Sequence, residues 1–250
     1  MKHRIFPAIA LGLALATPAA AFDITSMNDA EKQALRDEIR AYLLDNPEVI
    51  MEAVSVLEAR QAEAQASEDS TLVQVNSDAL FNDPNSWVGG NPSGDITLVE
   101  FVDYRCGYCR KAHDEVAELI ESDGNIRFIV KDFPILGDAS TISAQFALAV
   151  KELAGDDAYH RAGEALIRLK GNPEEPVLRR LAGTLGVDAD EVMAKMESDE
   201  VAMVIAENHA LAQRLKISGT PTFVMGDQML RGYLPLDGMR GVVDELRAKE

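Results

Sequence analysis

Apolar side chains recur every three or four residues between Asp29 and about Ala66, which places them on one face of an α-helix. They form two stripes: Leu35, Ile39, Tyr42 and Leu43, then Ile50, Val54 and Leu57. Between the stripes, Asn46 suits an N-cap and Pro47 suits a first helical position. The pattern therefore predicts two amphipathic helices.

The pattern changes twice after these helices. QAEAQASEDS, residues 61–70, has no apolar stripe, and we interpret it as a linker. Further on, the turn-rich GGNPSGD leads into ITLVEFV, residues 96–102, an apolar run typical of a buried strand. A helical pattern follows from Cys106 to about Ser122, and then a second strand, IRFIVKDF. This order predicts a β-α-β unit whose two strands are parallel.

The rest of the chain is mostly helical in pattern. Helical spacing extends from about Ser140 to Leu215, GTPTFVMG and QMLRGY resemble a short strand pair, and Leu236 to Ala248 form a closing helix. Strand-helix-strand, a helical block, then strand-strand-helix is thioredoxin topology with an insertion. We therefore predict an α/β, thioredoxin-like fold with a helical insertion at about 138–216, preceded by an N-terminal helical extension.

The first 21 residues have the pattern of a secretory signal peptide. Lys2 and Arg4 precede an apolar run from Ile5 to Ala16, and small residues follow up to Ala21. The run is too short and too interrupted for a membrane anchor. We expect cleavage after Ala21, export to the periplasm and no membrane insertion.

Composition narrows the classes of partner. The chain has 250 residues, is 47% hydrophobic and carries a formal charge of −18, which becomes −20 once Lys2 and Arg4 are removed. A core of this size can support one large domain or two small ones. So acidic a surface repels phosphate backbones and anionic lipids, which argues against nucleic-acid and membrane-surface partners.

The candidate chemistry lies in the only two cysteines, Cys106 and Cys109. Covalent haem attachment requires a histidine directly after the second cysteine, where this chain has Arg110. A structural zinc site requires four ligands, and no second half-site is recognisable, although a three-ligand site with His113 is conceivable. A purely structural disulfide closing so short a loop contributes only about 2 kcal/mol. A redox-active dithiol, with no metal and no cofactor, is the favoured interpretation.

The spacing assigns different tasks to the two sulfurs. Cys106 falls at the start of a helix, where free N–H groups and the helix dipole favour a thiolate, so we expect it to be the nucleophile. Cys109 lies one turn later and should face inward as the resolving cysteine. Glu100 lies on the same strand face as apolar side chains, so we expect it to be buried. Lys131 on the neighbouring strand is its expected cationic partner.

Residues 87–246 resemble the DsbA-like family of exported thiol–disulfide oxidoreductases through EFVDYRCGYC, KDFPILG and GTPTF, in that order. The N-terminal extension is similar to that of ScsC-like members. The resemblance implies that Glu100 relays a proton for Cys109. It also implies a cis bond between Thr220 and Pro221, in a loop that pairs with an extended client. Gly107, Tyr108 and Thr220 are the expected substrate-binding residues.

The direction of catalysis is less well defined by sequence. Gly107 and Tyr108 between the cysteines, together with Thr220 before the proline, resemble periplasmic disulfide isomerases, which favours isomerisation or reduction of client disulfides. Net oxidation of client thiols is the alternative, and a copper-binding or a redox-inert surface protein is a less favoured one. The expected partners are client proteins with cysteines and a redox partner that recharges the dithiol.

The predicted organisation has three parts. Residues 1–21 are the signal peptide, residues 22–70 are the helical segment with its linker, and residues 71–250 are the catalytic domain. Two short amphipathic helices cannot bury their own apolar stripes. We therefore expect a homo-oligomer formed through residues 29–66, either a dimer or a trimer.

Overall fold

A computed structural model describes residues 24–249, and the predicted signal peptide lies outside them. After a 3-10 turn at Ile24–Ser26, helix α1 spans Asp29–Asp45 and helix α2 spans Glu48–Val75. The two predicted helices are confirmed. The expected N-cap at Asn46 is wrong, because its side-chain amide donates back to the Tyr42 carbonyl at 2.9 Å and so closes α1.

The predicted linker is also wrong, because α2 continues through residues 61–70. Alanine, glutamate and glutamine favour helix whether or not one face is apolar, so the missing stripe indicates exposure and not a break. The described chain divides into two compact units between Ala59 and Arg60. Within the second unit, Asp69 and Val73 are buried, and Asp69 pairs with Arg231.

A five-stranded sheet forms the centre of the second unit. The short helix α3 spans Ser77–Phe81. It is followed along the chain by β1 (Trp87–Gly90), β2 (Ile96–Val102), α4 (Gly107–Asp123) and β3 (Ile126–Asp132). The sheet is completed by β4 (Thr222–Met225) and β5 (Gln228–Arg231), in the spatial order β1-β3-β2-β4-β5. Strands β2 and β3 are parallel, and the other neighbours are antiparallel. The predicted β-α-β unit and strand pair are confirmed.

The helical insertion lies between β3 and β4. It consists of α5 (Asp138–Ala154), α6 (Asp156–Ile167), α7 (Glu175–Leu185), α8 (Ala189–Met196) and α9 (Asp199–Arg214), and α10 (Leu236–Arg247) closes the domain. The structure has the predicted α/β, thioredoxin-like fold with a helical insertion and N-terminal helices.

Strand β2 positions the site because its side chains alternate between two buried cores. Ile96 and Leu98 pack with Val116 of α4, whereas Val99 and Phe101 pack with residues of α3 and α9. This alternation directs Glu100 to the α4 side of the sheet. None of the described helices is long and apolar enough to span a membrane.

Candidate active site

The two cysteines occupy the first turn of α4. Cys106 is the N-cap residue, with extended backbone angles, and Cys109 follows in the helix. Both are free thiols and both are buried, at 7% and 1% exposure. The Cys106 thiol donates to the Thr220 carbonyl oxygen at 3.1 Å. Cys106 therefore keeps a small exposed fraction beside the loop before β4, and Cys109 is almost fully enclosed.

The surroundings of Cys106 favour its thiolate. The pKa of Cys106 is lowered to about 5, chiefly because the Cys109 thiol donates a hydrogen bond to its sulfur. Burial opposes this shift, while the Thr220 side chain and the backbone N–H groups of Tyr108 and Cys109 reinforce it. These N–H groups are the unpaired donors of a helix N-terminus. At neutral pH, Cys106 is a nucleophile and a good leaving group.

The same geometry keeps Cys109 protonated. Its pKa is raised because its hydrogen bond to Cys106 needs the proton, because it is buried, and because Glu100 places a negative charge nearby. Cys109 must therefore lose a proton before it can attack. The two sulfurs thus differ in accessibility and in charge.

A cis peptide bond joins Thr220 and Pro221 opposite the dithiol, as the resemblance implied. The carbonyl of Thr220 faces Cys106, and that of Pro221 accepts a hydrogen bond from Gly232 N–H at 2.9 Å. Strand β4 begins directly after this loop and pairs with β2. The loop is therefore held against the end of α4 by the sheet.

Glu100 lies buried on the α4 side of the sheet. Among the described residues its carboxyl has no hydrogen-bond or ion-pair partner. Burial raises the pKa of Glu100 to about 8, and the nearby charge of Cys106 adds to the shift. The carboxyl can therefore hold and release a proton near neutral pH beside Cys109.

The expected pairing of Glu100 with Lys131 is wrong. In the parallel register Glu100 lies opposite Val130, and Lys131 lies opposite Phe101. Laterally adjacent residues share a face, so Lys131 points to the other side of the sheet. There its ammonium group contacts the Asp83 carboxylate at 2.5 Å and donates to the Ala79 carbonyl at 2.8 Å.

Sequence reasoning missed a polar cluster near Glu100. The Tyr159 hydroxyl donates to the Asp132 carboxylate at 2.8 Å, and the Tyr104 hydroxyl lies 3.4 Å from that of Tyr159. Burial raises the pKa of Asp132 to about 6, against the stabilising effect of the two tyrosines. Tyr159 comes from the insertion, and no local sequence signal connects it with the dithiol.

Side chains around the dithiol form a surface that is aromatic and basic. Tyr108 is 63% exposed, and its ring stacks against that of Tyr233 with centroids 6.4 Å apart. Lys111 lies 4.0 Å above the Tyr233 ring. A side chain at Gly107 would meet no other atom within 4 Å, so the surface is open to solvent at the residue between Cys106 and Tyr108.

The described residues contain no group of three or more His, Cys, Asp and Glu side chains arranged to hold a metal ion. His113, which sequence alone made a conceivable third ligand, instead has its Nε2 atom 2.6 Å from Glu164 Oε1.

Two family descriptions match the chain. Residues 97–244 match "DSBA-like thioredoxin domain", and residues 31–64 match "Copper resistance protein ScsC N-terminal domain". Among curated proteins, the chain is 30% identical over 157 residues to the Na(+)/H(+) antiporter NhaA 1 of Salinispora arenicola. It spans about a quarter of the length of such relatives, at 24% for two Salinispora antiporters.

Solved structures agree with the family match. A thioredoxin-like oxidoreductase from Silicibacter pomeroyi is 41% identical, with a TM-score of 0.63, over 68% of this chain and 97% of that one. Proteus mirabilis ScsC in a transitional conformation is 26% identical, with a TM-score of 0.64, over 91% of this chain and 100% of that one. A periplasmic thioredoxin-like protein from Salmonella enterica serovar Typhimurium is 25% identical, with a TM-score of 0.61, over 68% and 95%.

The first of these relatives is similar in sequence over nearly its whole length, and the DSBA-like match covers more than half of this chain. The family match, residues 97–244, includes Cys106, Cys109 and most of the sheet beneath them. The chain therefore belongs to the DsbA-like thioredoxin-domain family of thiol–disulfide oxidoreductases, with an N-terminal domain of the ScsC type.

Proposed function

We propose that this protein isomerises or reduces disulfides in exported client proteins. The observation that supports this best is the difference between the two sulfurs. Cys106 is a stabilised thiolate beside the Thr220 carbonyl, and Cys109 is a buried thiol beneath it. A reduced dithiol with this arrangement is ready to attack an existing disulfide in a client.

In the first step, the Cys106 thiolate attacks one sulfur of a client disulfide. A new S–S bond forms between Cys106 and the client, the client's own S–S bond breaks, and the departing thiolate takes a proton from solvent. The client segment lies against the Thr220–Pro221 loop and pairs with it by strand addition. Gly107 and Tyr108 provide the remaining contacts.

Two outcomes follow from this mixed disulfide. In isomerisation, another client thiolate attacks the client sulfur and releases Cys106 as the thiolate, so no electrons are lost. In reduction, Cys109 gives its proton to Glu100 and attacks the Cys106 sulfur. That second step forms a Cys106–Cys109 disulfide and releases the client sulfur as a thiolate, which takes a proton from solvent. A redox-partner dithiol then reduces the Cys106–Cys109 disulfide and is itself oxidised to a disulfide.

The preference for isomerisation and reduction over net oxidation rests on sequence. Gly107–Tyr108 and Thr220 resemble the combination found in disulfide isomerases. The decisive experiment is refolding of scrambled ribonuclease, together with insulin reduction and the redox equilibrium with glutathione. We expect both activities in the parent and neither in Cys106→Ser. A strongly oxidising potential without refolding activity would instead indicate an oxidase.

The proposed relay by Glu100 can be tested separately from attack. Glu100→Gln preserves the size and polarity of the side chain, but the amide cannot accept the proton of Cys109. We expect resolution of the mixed disulfide to slow by about 100-fold, the lower range for general base catalysis, with attack by Cys106 unchanged. An unchanged rate of resolution would reduce Glu100 to a structural residue.

Oligomerisation through residues 29–66 is a further part of the proposal. Helix α1 buries none of its residues, and Ile39, Ile50 and Leu57 are 49%, 51% and 55% exposed. Faces this apolar are stabilised by matching faces from other copies. Several dithiols around one client then raise the effective concentration for a second attack.

The double variant Ile39→Glu with Ile50→Glu tests this assembly in the full chain. Light scattering should give an oligomer mass for the parent and a monomer mass for the double variant. We expect the variant to retain insulin reduction and to lose most ribonuclease refolding. Glu38→Gln and Glu52→Gln together form the matched control, and a monomeric parent would contradict the proposal.

We propose that the protein acts in the periplasm, after its signal peptide is cleaved between Ala21 and Phe22. The thioredoxin-like relative from Salmonella enterica is described as periplasmic, and the sequence pattern of residues 1–21 fits export. N-terminal sequencing of the exported protein should begin at Phe22. Retention of Met1 in the exported fraction would contradict it.

A further inference from the structure

A cavity of about 330 Å³ lies between the α4 side of the sheet and helices α4 and α6, all within the second unit. Its walls are mainly apolar and aromatic, and include Trp87, Phe128, Val130 and Ile120. Glu100 is also part of the lining. The carboxyl beneath the dithiol thus borders a space large enough for several water molecules.

This cavity offers Glu100 a way to exchange protons that avoids the dithiol. Cys106 and Cys109 are 7% and 1% exposed, so they cover the carboxyl on their side, and a client joined to Cys106 covers it further. With a pKa of about 8, Glu100 is mostly protonated at neutral pH. It must therefore release one proton before it can take that of Cys109.

A histidine–carboxylate pair stands between the cavity and solvent. His113 and Glu164 both line the cavity, and their side chains are 25% and 34% exposed. Nε2 of His113 lies 2.6 Å from Glu164 Oε1, but out of line for hydrogen bonding, and this nitrogen is buried. Arg168 holds the other oxygen of Glu164 at 3.3 Å.

The placement of His113 suits proton transfer. It lies one helical turn after Cys109, on the same helix, and an imidazole ring can accept a proton at one nitrogen and donate one from the other. The carboxylate of Glu164 would stabilise the imidazolium while it carries the proton. The other titratable groups that line the cavity are Glu100, Tyr104, Glu121, Tyr159 and His160.

We propose that Glu100 exchanges its proton with solvent through this cavity, with His113 as the carrier at the opening and Glu164 as its positioning residue. Glu100 gives its proton to water in the cavity, the water passes a proton to His113, and the imidazolium releases it to solvent. Glu100 is then an anion that accepts the proton of Cys109. This inference rests on the proposed relay function of Glu100.

The chain provides matched controls for this route. His160 lines the same cavity, but its ring is stacked on Trp87 with centroids 5.0 Å apart, so His160→Gln should leave proton transfer intact. Gly163 lies on α6 in the cavity wall, and a Cβ there would meet the Tyr104 hydroxyl at 3.5 Å, an ordinary contact. Gly163→Ala should be tolerated, whereas Gly163→Leu should fill the cavity.

Attack by Cys106 and resolution by Cys109 can be followed in one stopped-flow trace. The reduced protein is mixed with an aromatic disulfide that releases a coloured thiol. The first, second-order phase reports attack by Cys106, and the second, first-order phase reports resolution by Cys109. At neutral pH in dilute buffer, we expect His113→Gln and Gly163→Leu to slow only the second phase, by about tenfold. His160→Gln and Gly163→Ala should match the parent.

Rescue by a diffusible proton carrier separates transport from structural damage. Added imidazole should restore the second phase of His113→Gln but not that of Gly163→Leu, whose cavity is filled. Raising the pH above 8 should also restore His113→Gln, because Glu100 is then already ionised. Near-ultraviolet circular dichroism checks folding, and Gly163→Val replaces Gly163→Leu if the latter unfolds.

The outcomes are distinguishable. If His113→Gln and the filled cavity leave the second phase unchanged while Glu100→Gln slows it, the route is wrong and the relay stands. If Glu100→Gln also resolves at the parental rate, the relay itself fails. If imidazole does not rescue His113→Gln, the histidine acts on structure and the proposal is overturned.

Discussion

Glu100 and Lys131 are two buried ionisable residues on adjacent strands of one sheet, and they differ in whether a partner compensates for their burial. Both are nearly inaccessible, at 6% and 1% exposure, but they point to opposite faces. Lys131 has an ion-pair partner in Asp83 and a hydrogen bond to the Ala79 carbonyl. Glu100 has neither among the described residues, and it borders both the dithiol and a cavity.

The difference shows what a partner does to a buried charge. Burial lowers the pKa of Lys131, while Asp83 opposes that shift, so the pair links β3 to the segment before β1 as a fixed contact. Glu100 has no cationic partner to offset its burial, so its ionised form is destabilised and its pKa rises to about 8. That value is close enough to neutral pH for the carboxyl to gain and lose a proton. The paired charge supports the fold, and the unpaired one is available for chemistry.

The largest expected effect is on stability, at the paired site. Lys131→Met removes the cationic partner of the Asp83 carboxylate, which then keeps only its neutral donors, Asn85 N–H and the Ser86 hydroxyl, and it removes the donor to the Ala79 carbonyl. The free energy of unfolding should therefore fall by about 3–5 kcal/mol. Urea denaturation measures this loss. The thiolate titration of Cys106, followed by ultraviolet absorbance, should remain near pH 5, because Lys131 lies on the other face.

The double variant Lys131→Met with Asp83→Asn is the control for that site. It removes the uncompensated charge, and it should recover part of the lost stability. A loss below about 1 kcal/mol in the single variant, or a shifted Cys106 titration, would end the distinction between the two sites.

The next effect is the pH dependence of stability at the unpaired site. Between pH 4.5, the ordinary pKa of glutamate, and about pH 8, the unfolded chain releases the proton that folded Glu100 keeps. Stability is therefore fully present below pH 4.5 and falls as pH rises, by up to about 4 kcal/mol at pH 8. Glu100→Gln should lack this part of the decline. Denaturation of the oxidised proteins measures it, since oxidation removes the Cys106 titration. Oxidation also removes the Cys106 charge that adds to the pKa shift of Glu100, so the decline there should be somewhat smaller than in the reduced protein.

Asp132 still titrates in both oxidised proteins, so the difference between them isolates Glu100. Parallel stability curves for the parent and Glu100→Gln would show that Glu100 ionises normally in the folded protein. In that case the contrast with Lys131 would be lost.

The sequence predicted most of this architecture, but not the contrast itself. Alternation along residues 96–102 correctly placed Glu100 on a buried face. To pair Glu100 with Lys131 correctly, one must know the register between β2 and β3, which are joined by a long helix. A shift of one residue in that register moves a side chain to the opposite face of the sheet. The helix through residues 61–70 was missed because a missing apolar stripe resembles a linker. Tyr159 and the cavity depend on how the insertion packs, which local patterns do not encode.

The smallest expected effect concerns Asp132, a third buried ionisable residue on this sheet, whose environment is intermediate between those of Lys131 and Glu100. It has one close partner, the Tyr159 hydroxyl at 2.8 Å, and its pKa is raised only to about 6. Because that hydroxyl stabilises the ionised form, Tyr159→Phe should raise the pKa of Asp132 further and make it behave more like Glu100. The loss of one hydrogen bond to a charged group corresponds to about 1.5–3 kcal/mol. Carboxyl infrared absorption during a pH titration should show the Asp132 band ionising at higher pH, and the pH range over which Asp132 weakens the fold should extend upward.

Tyr42→Phe, which removes an exposed hydroxyl, is the control. An unchanged or lowered pKa of Asp132 would mean that burial alone, and not the number of partners, determines how carboxyls on this sheet titrate.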